Sequence, residues 1–289
     1  MPGLILDTRS VAATIRDQLK NEVAEFKQQF SYVPTLVIVC VGDDNAIYDY
    51  IRVVTRQAHM TGLRAIAHIL PTDIRHEELV SHIEELNRNP AIQAISLQAP
   101  LPPHLNLIRI AEVIHPDKDA EGLHPRNAGD VSLNGSRLVA PPALGAMKLL
   151  SLYSINPAGR YAVVVGRNPI IGKPLAALLT EANATVTICH RQTPHLSAFT
   201  RIADLLVVAA QSPHLINGEM VKPGAIVLDF GINYVRGGSS QGQQIQGDVE
   251  FDSIKRVAGG VTPMPGGTGP MTVISLLQNV LKAARLQQN

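Results

Sequence analysis

Apolar runs of strand length alternate with helix-length amphipathic stretches along most of this chain, and that rhythm leaves few folds open. Thr35–Val41, residues 63–70 and Ala94–Leu97 read as strands, separated by helical stretches over 46–61 and His76–Arg88. The pattern resumes with Tyr161–Val165, 184–190, Leu205–Val208 and 225–229, all read as buried strands. Strand, helix, strand in succession points to a parallel sheet, because a parallel neighbour can be reached only through a crossover. Strands that are apolar throughout are those covered on both faces. The fold class is therefore α/β. Before the first strand, Val11, Ile15, Leu19, Val23 and Phe26 recur at helical steps, which predicts an amphipathic helix over 7–30 with Asp7, Thr8 and Ser10 available as caps.

A chain of 289 residues is long for one core and suits two lobes. The turn-rich stretch 131–142, followed by helical periodicity over 144–152, places the break near Pro142. The first lobe is expected to comprise residues 1–142 together with a C-terminal helix, 270–289, that returns to it; residues 143–269 form a Rossmann-like nucleotide-binding lobe. Residues 236–246 read as a hydrophilic loop. The proline-rich loop Ala99-Pro100-Leu101-Pro102-Pro103 ends the third strand. Open α/β sheets bind ligands beyond the carboxyl ends of their strands, so this loop is a candidate site wall.

Composition removes several classes of function. With 17% charged residues and a net charge of +1, the chain carries no electrostatic footprint for nucleic acid or an acidic membrane. No apolar stretch is long enough to span a bilayer, and no basic segment leads into an apolar one at the N-terminus, so a cytoplasmic protein is expected. Cys40 and Cys189 each lie inside an apolar run and read as core thiols. The ten histidines are scattered, without H-E-x-x-H or C-x-x-C, so no metal site is expected, and His115 and His124 read as loop residues. Neither a G-x-S-x-G elbow nor a G-x-x-x-x-G-K-[ST] loop is present.

After the strand Tyr161–Val165 comes Gly166-Arg167-Asn168-Pro169-Ile170-Ile171-Gly172-Lys173-Pro174. A glycine turn between strand and helix presents backbone N–H groups and a helix dipole to phosphate. The middle glycine of G-x-G-x-x-G is missing, so an ordinary strand-to-helix turn is the plainer alternative. The next strand ends in His190-Arg191 rather than in an acidic residue, which favours NADP, with its 2′-phosphate, over NAD. Alternatively, Arg191 is a solvated loop cation.

Three motifs then converge. Asp117-Lys118-Asp119-Ala120-Glu121-Gly122-Leu123, the Gly166–Pro174 turn, and Thr262-Pro263-Met264-Pro265-Gly266-Gly267-Thr268-Gly269-Pro270-Met271-Thr272 resemble signatures of the bifunctional methylenetetrahydrofolate dehydrogenase/cyclohydrolases. The resemblance runs from Val41-Gly42-Asp43-Asp44 almost to the C-terminus. It implies oxidation of 5,10-methylenetetrahydrofolate with NADP or NAD, then hydrolysis of the methenyl cation, in a folate cleft between the lobes of a homodimer joined through its nucleotide domains. By the resemblance, Tyr50 stacks on the pterin, and Gln98, Pro100 and Leu101 belong to the substrate loop. Pro265, Gly266 and Gly267 line the cleft near the nicotinamide. The cofactor side takes Gly166, Arg167, Asn168, Ile171, Gly172, His190, Arg191, Ile232 and Thr272.

The departures are concentrated. Val54 stands where the family has its catalytic lysine, Ile47 where it has a serine, and Glu121 where it has a pterin-binding aspartate. Smaller ones are Gln211, where a glycine is usual, and Ala140-Pro141-Pro142-Ala143. Ile47, Tyr50 and Val54 share one helix face, an apolar stripe that without the resemblance would read as core. Hydrolysis of a methenyl cation needs a group that manages protons on the attacking water, and losing one costs roughly 10²–10⁴-fold. Valine has no such group, and Arg52 and Arg56 lie on other faces of the helix. Hydride transfer depends less on the lysine, because the cofactor carries the chemistry. Glu121, one methylene longer than aspartate, must push the pterin across the cleft or fold back. Three readings follow: a dehydrogenase with impaired or lost cyclohydrolase activity, an enzyme of the same fold with another folate-derived or heterocyclic substrate, or a non-catalytic folate or nucleotide sensor.

Overall fold

The computed structural model describes residues 3–42, 45–133, 135, 137–236, 243–264 and 266–288. Its strands are β1 (Leu4–Ile5), β2 (Thr35–Val41), β3 (Arg64–Leu70), β4 (Ala94–Leu97), β5 (Tyr161–Val165), β6 (Thr185–Cys189), β7 (Leu205–Val208), β8 (Ile226–Asp229), β9 (Asn233–Arg236), β10 (Gln243–Gln246) and β11 (Gly260–Val261). The helices that matter here are α1 (Thr8–Phe30), α2 (Asn45–Thr61), α3 (His76–Arg88), α4 (Pro141–Leu152), α5 (Gly172–Glu181) and α6 (Gly269–Leu286). The chain forms two compact units, Ala13–Pro141 with Val273–Asn289, and Met1–Ala12 with Pro142–Thr272.

In the first unit a three-stranded parallel sheet runs in the order β3-β2-β4. All seven residues of β2 are buried, which is why its sequence is an unbroken apolar run. Val37, Val39 and Val41 pack with Ile95 and Leu97 of β4 and with Leu79, Ile83 and Leu86 of α3. Each such side chain stabilises the unit by about 1.5–3 kcal/mol relative to exposure. Residues 117–121 lie alongside β4, bonded through Ile95 N to Lys118 O (2.6 Å) and Ala120 N to Ile95 O (3.0 Å). This added edge brings Glu121 beside the end of β4. The buried Asn279 of α6 secures it, donating to Ala120 O and Val139 O at 2.8 Å each.

The second unit holds a six-stranded, all-parallel sheet in the order β1-β11-β8-β7-β5-β6. From β5 the chain winds first to β6 on one side and then to β7 on the other, so the topological switch point lies at the carboxyl end of β5.

Five sequence expectations change. The N-terminal residues belong with the second unit, because Leu4 and Ile5 pair with Gly260 and Val261. Thr8 is not a cap: its hydroxyl donates to the carbonyls of Gly266 and Gly267, and it is Asp7 Oδ1 that accepts from Arg9 N (3.0 Å). The strand read as buried over 184–190 is the sheet edge β6, with Ile188 exposed. The stretch read as a loop over 236–246 includes part of an antiparallel ribbon, β9 with β10, whose polar sequence carries no apolar alternation. The helix after the break also starts earlier, at Pro141-Pro142, since proline is tolerated in a first turn.

Candidate functional site

In the first unit the structure gathers Tyr50 of α2, Ser96 and Gln98 at the end of β4, and Glu121. Ser96 Oγ donates to Glu121 Oε1 (2.5 Å), and Gln98 Nε2 donates to Ser96 Oγ (2.6 Å) and to Glu121 Oε1 (3.3 Å). Glu121 has thus folded back onto β4, one of the two outcomes its length allowed. Burial pushes its carboxyl up to about 7; the charge of Asp119 adds to the rise, and the Ser96 and Gln98 hydrogen bonds oppose it. Burial also raises the Tyr50 phenol, helped by the Glu121 charge and opposed by a Gln98 hydrogen bond. Gly122, at φ +64°, lets the chain turn directly after Glu121; a Cβ there would meet Ala140 N at 2.7 Å.

Ile47, Tyr50 and Val54 do share a face of α2, but not equally. Ile47 and Tyr50 keep part of their surface, whereas Val54 is 0% exposed and belongs to the core. Lys118 does not supply an ammonium to this group. It is buried, and its Nζ donates to the carbonyls of Leu86 (3.3 Å), Asn87 (2.8 Å) and Asn89 (2.9 Å) at the end of α3. Pro100 is exposed after a cis Ala99–Pro100 bond, while Leu101 packs against the β2–α3 core. Asp43, Asp44 and Pro265, singled out by the sequence, lie outside the described residues.

In the second unit the turn Gly166–Gly172 sits at the switch point. A Cβ on Gly166 (φ +125°) would collide with the Ala209 carbonyl, and one on Gly172 with the Gly166 carbonyl. Both glycines therefore permit close backbone packing, and the turn leads straight into α5, whose N-terminal dipole favours an anion. Asn168 shapes the turn: its Oδ1 accepts from Ile170 N (3.2 Å) and Ile171 N (2.7 Å), and its Nδ2 donates to Ala209 O (3.2 Å). Arg167 is exposed. At the end of β6, His190 Nδ1 accepts from Gln192 N (3.2 Å), and Arg191 is exposed with no carboxylate partner among the described residues. Ile232 is exposed just after β8, Thr272 Oγ1 in the first turn of α6 donates to Thr268 O just before the helix (3.2 Å), and Gly266 and Gly267 accept from Thr8. A glycine turn at a helix N-terminus and an exposed guanidinium at the end of β6 have the chemistry that fits nucleotide phosphates.

Sequence reading missed three polar anchors. Ser96 is one, a lone hydroxyl in an otherwise apolar strand. The others are Asp229 and Asp248, both 0% exposed. Asp248 accepts from the N–H groups of Ala210 (2.6 Å), Gln211 (3.0 Å) and Ser212 (2.8 Å) and from Asn233 Nδ2 (2.9 Å). It thereby holds Gln211 at φ +54°, where a glycine was expected. Asp229 accepts from Gly231 N (2.8 Å) and Asp248 N (3.1 Å); burial pushes its carboxyl up to about 6. Together they tie down the loops that follow β7, β8 and β10. The available signal was an aspartate beside a glycine at a strand end, Asp229-Phe230-Gly231 and Gly247-Asp248.

Among the described residues no group of three His, Cys, Asp or Glu side chains could hold a metal ion, and no helix is long and apolar enough to cross a membrane. Comparison with known proteins finds matches over both units. The sequence model of the tetrahydrofolate dehydrogenase/cyclohydrolase catalytic domain matches residues 6–121, and that of the family's NAD(P)-binding domain matches residues 140–288. The bifunctional protein FolD of Brevibacillus brevis is 42% identical over 287 residues, covering 99% of each chain, and that of Herpetosiphon aurantiacus is 42% identical over 285 residues, covering 99% and 98%. Among solved structures, the Trypanosoma brucei methylenetetrahydrofolate dehydrogenase-cyclohydrolase, complexed with NADP and an inhibitor, superposes with a TM-score of 0.95 at 34% identity, covering 100% of this chain and 99% of that one. The Campylobacter jejuni enzyme gives a TM-score of 0.92 at 37% identity, covering 98% and 99%. Matched in both domains and over its full length, the chain belongs to the tetrahydrofolate dehydrogenase/cyclohydrolase family.

Proposed function

We propose that the protein is an NADP-dependent 5,10-methylenetetrahydrofolate dehydrogenase whose cyclohydrolase step is impaired or lost. The observation that carries this reading is Val54, uncharged and wholly buried one helical turn from Tyr50, while Lys118 is committed to three main-chain carbonyls. When bound, NADP supplies the hydride acceptor. The chain's own part is to orient the folate ring: Tyr50 offers an aromatic face, and Glu121 offers a carboxylate to the ring's donor edge. Ile47 at the surface of the site, with Val54 behind it in the core, places no positive charge beside a developing cation, so oxidation does not suffer from the loss of the lysine. Addition of water to that cation does suffer, because nothing at position 54 can take or return a proton. On the cofactor side, Gly166, Asn168 and Gly172 shape the phosphate turn, and Arg191 is placed for the 2′-phosphate.

Full-length similarity to enzymes of this activity favours turnover of a folate substrate over the changed-substrate and sensor readings. Homodimeric assembly and a cytoplasmic location complete the proposal, to be read by light scattering of the purified protein and by cell fractionation. The deciding experiment follows the near-ultraviolet absorbance of reduced nicotinamide with NADP or NAD and methylenetetrahydrofolate, then separates methenyl from formyl product after acid quenching. Reduction with accumulation of methenyl product is expected. Brisk conversion to formyl product would overturn the loss of the second step and would point to Glu121 as its base, whereas cofactor binding without reduction would overturn the dehydrogenase.

A further inference from the structure

Ser96 is 0% exposed in a strand whose neighbours Ile95 and Leu97 face the β2–α3 core. Successive side chains on a strand alternate, so Ser96 faces the other way, on the same side as Gln98. A buried hydroxyl is costly unless it is bonded, and this one is bonded twice: it accepts from Gln98 Nε2 and donates to Glu121 Oε1. Oε1 of Glu121 therefore receives two donors, while Oε2 has no hydrogen-bond partner among the described residues. We propose that Ser96 is a positioning residue for the folate reaction: it draws Glu121 back along β4, absorbing the extra methylene, and leaves one carboxylate oxygen to meet the donor edge of the ring.

The inference rests on the folate reading above, and adds to it a residue that acts through Glu121 and not on the substrate. It makes the oxidation pH-dependent in a defined sense. The titratable groups around Glu121 are Asp119 on its own segment, Tyr50 on α2 and, beyond Tyr50, Cys40 on β2, none of them cationic. Only the ionised carboxylate is a pure acceptor, so kcat/KM should rise with pH through about 7, where the Glu121 carboxyl titrates. The Ser96 hydrogen bond holds that carboxyl down, so removing it moves the acid limb to higher pH.

The test is a double-mutant cycle in the full-length protein, with Ser96→Ala, Glu121→Asp and the pair. Aspartate is too short to reach the Ser96 hydroxyl. Ser96→Ala alone is expected to raise KM for methylenetetrahydrofolate roughly tenfold, the loss of one hydrogen bond to a charged group, with kcat less affected and the acid limb shifted upward. In the Glu121→Asp background the same change should have no effect on KM or on the limb. Equal losses in both backgrounds would make Ser96 merely structural and overturn the proposal, as would an unmoved KM and limb. Should Ser96→Ala not fold, Ser96→Cys, close in size and a weak donor, reads the same cycle. A wild-type protein without turnover would be a failure of the folate reading and not of this one. Carbon-13 titration of labelled glutamate carboxyls then decides, because Ser96→Ala must still raise the Glu121 midpoint, and an unchanged midpoint would sink the inference.

Discussion

The two units build their proposed sites from different parts of the chain. Around Gly166–Gly172 the main chain itself forms the cradle: two glycines whose missing Cβ atoms leave room for carbonyls, an asparagine that bonds to amides, and a helix N-terminus. Around Tyr50 the site consists of side chains on a helix, a strand end and a turn, with Ser96, Gln98 and Glu121 linked to one another. A main-chain site can change only by changing the path of the backbone. A side-chain site can exchange lysine for valine or aspartate for glutamate with every helical hydrogen bond intact. The departures proposed for this chain fall in the second kind of site, which is where chemistry can be altered while the fold is kept.

The largest effect that would break this contrast lies in the main-chain cradle. Gly166→Ala adds a Cβ against the Ala209 carbonyl at φ +125°. The strained dihedral alone costs on the order of 1–3 kcal/mol, and relief requires moving the turn. NADP affinity should fall by more than about 100-fold, while folate binding to the other unit stays within a few-fold. Thermal unfolding with and without each ligand checks both halves of the expectation. If NADP still stabilises the variant as it does the parent, the cradle is not made of main chain in the sense argued here.

The side-chain site should respond in the opposite direction, with a gain. Val54→Lys places an ammonium one turn from Tyr50, on the same face of α2. From a position that is 0% exposed, the stem must run up the helix toward the half-buried Tyr50 to reach water. Hydrolysis of methenyltetrahydrofolate should rise by about 100-fold, the lower end of what a positioned proton-transfer group contributes. The variant will be less stable than the parent, because a buried valine is replaced by a charge. No gain in hydrolysis, with folding retained, would assign the impairment to Ile47 or Glu121 instead.

What could be read beforehand follows the same division. The parallel strands, both lobes and the glycine turn were legible, because each depends on a local run of residue types. β1 and β11 were not, since two-residue strands have no periodicity, and the β9–β10 ribbon was hidden by its polar composition. Thr8 looked like a cap because local spacing says nothing of carbonyls more than 250 residues away. Asp248 and Asp229 escaped for that reason too: their partners are amides brought near by the sheet order. The departures proposed at 47, 54 and 121 could be read only against a family pattern, and Glu121 left two outcomes open. In the structure Glu121 is folded back and bonded to the Ser96 hydroxyl, and nothing in the sequence joined those two residues.

The smallest effect concerns a side chain on the nucleotide side that is exposed to solvent and is proposed to meet the cofactor directly. Arg191 stands exposed at the end of β6, pairs with no carboxylate among the described residues, and is preceded by His190, whose Nδ1 is already occupied by Gln192 N. A guanidinium so placed interacts with an added phosphate through solvent-screened charge, so its contribution is modest and depends on salt. Arg191→Ser should weaken NADP binding by roughly tenfold at low ionic strength, and by less as salt is raised. NAD, which lacks the phosphate, should bind the variant and the parent alike. Titration of both cofactors into parent and variant at two salt concentrations checks this. Equal weakening of NADP and NAD would mean that Arg191 supports the turn and not the phosphate, and selectivity would then have to come from the main-chain cradle, which would extend the contrast between the units to cofactor choice itself.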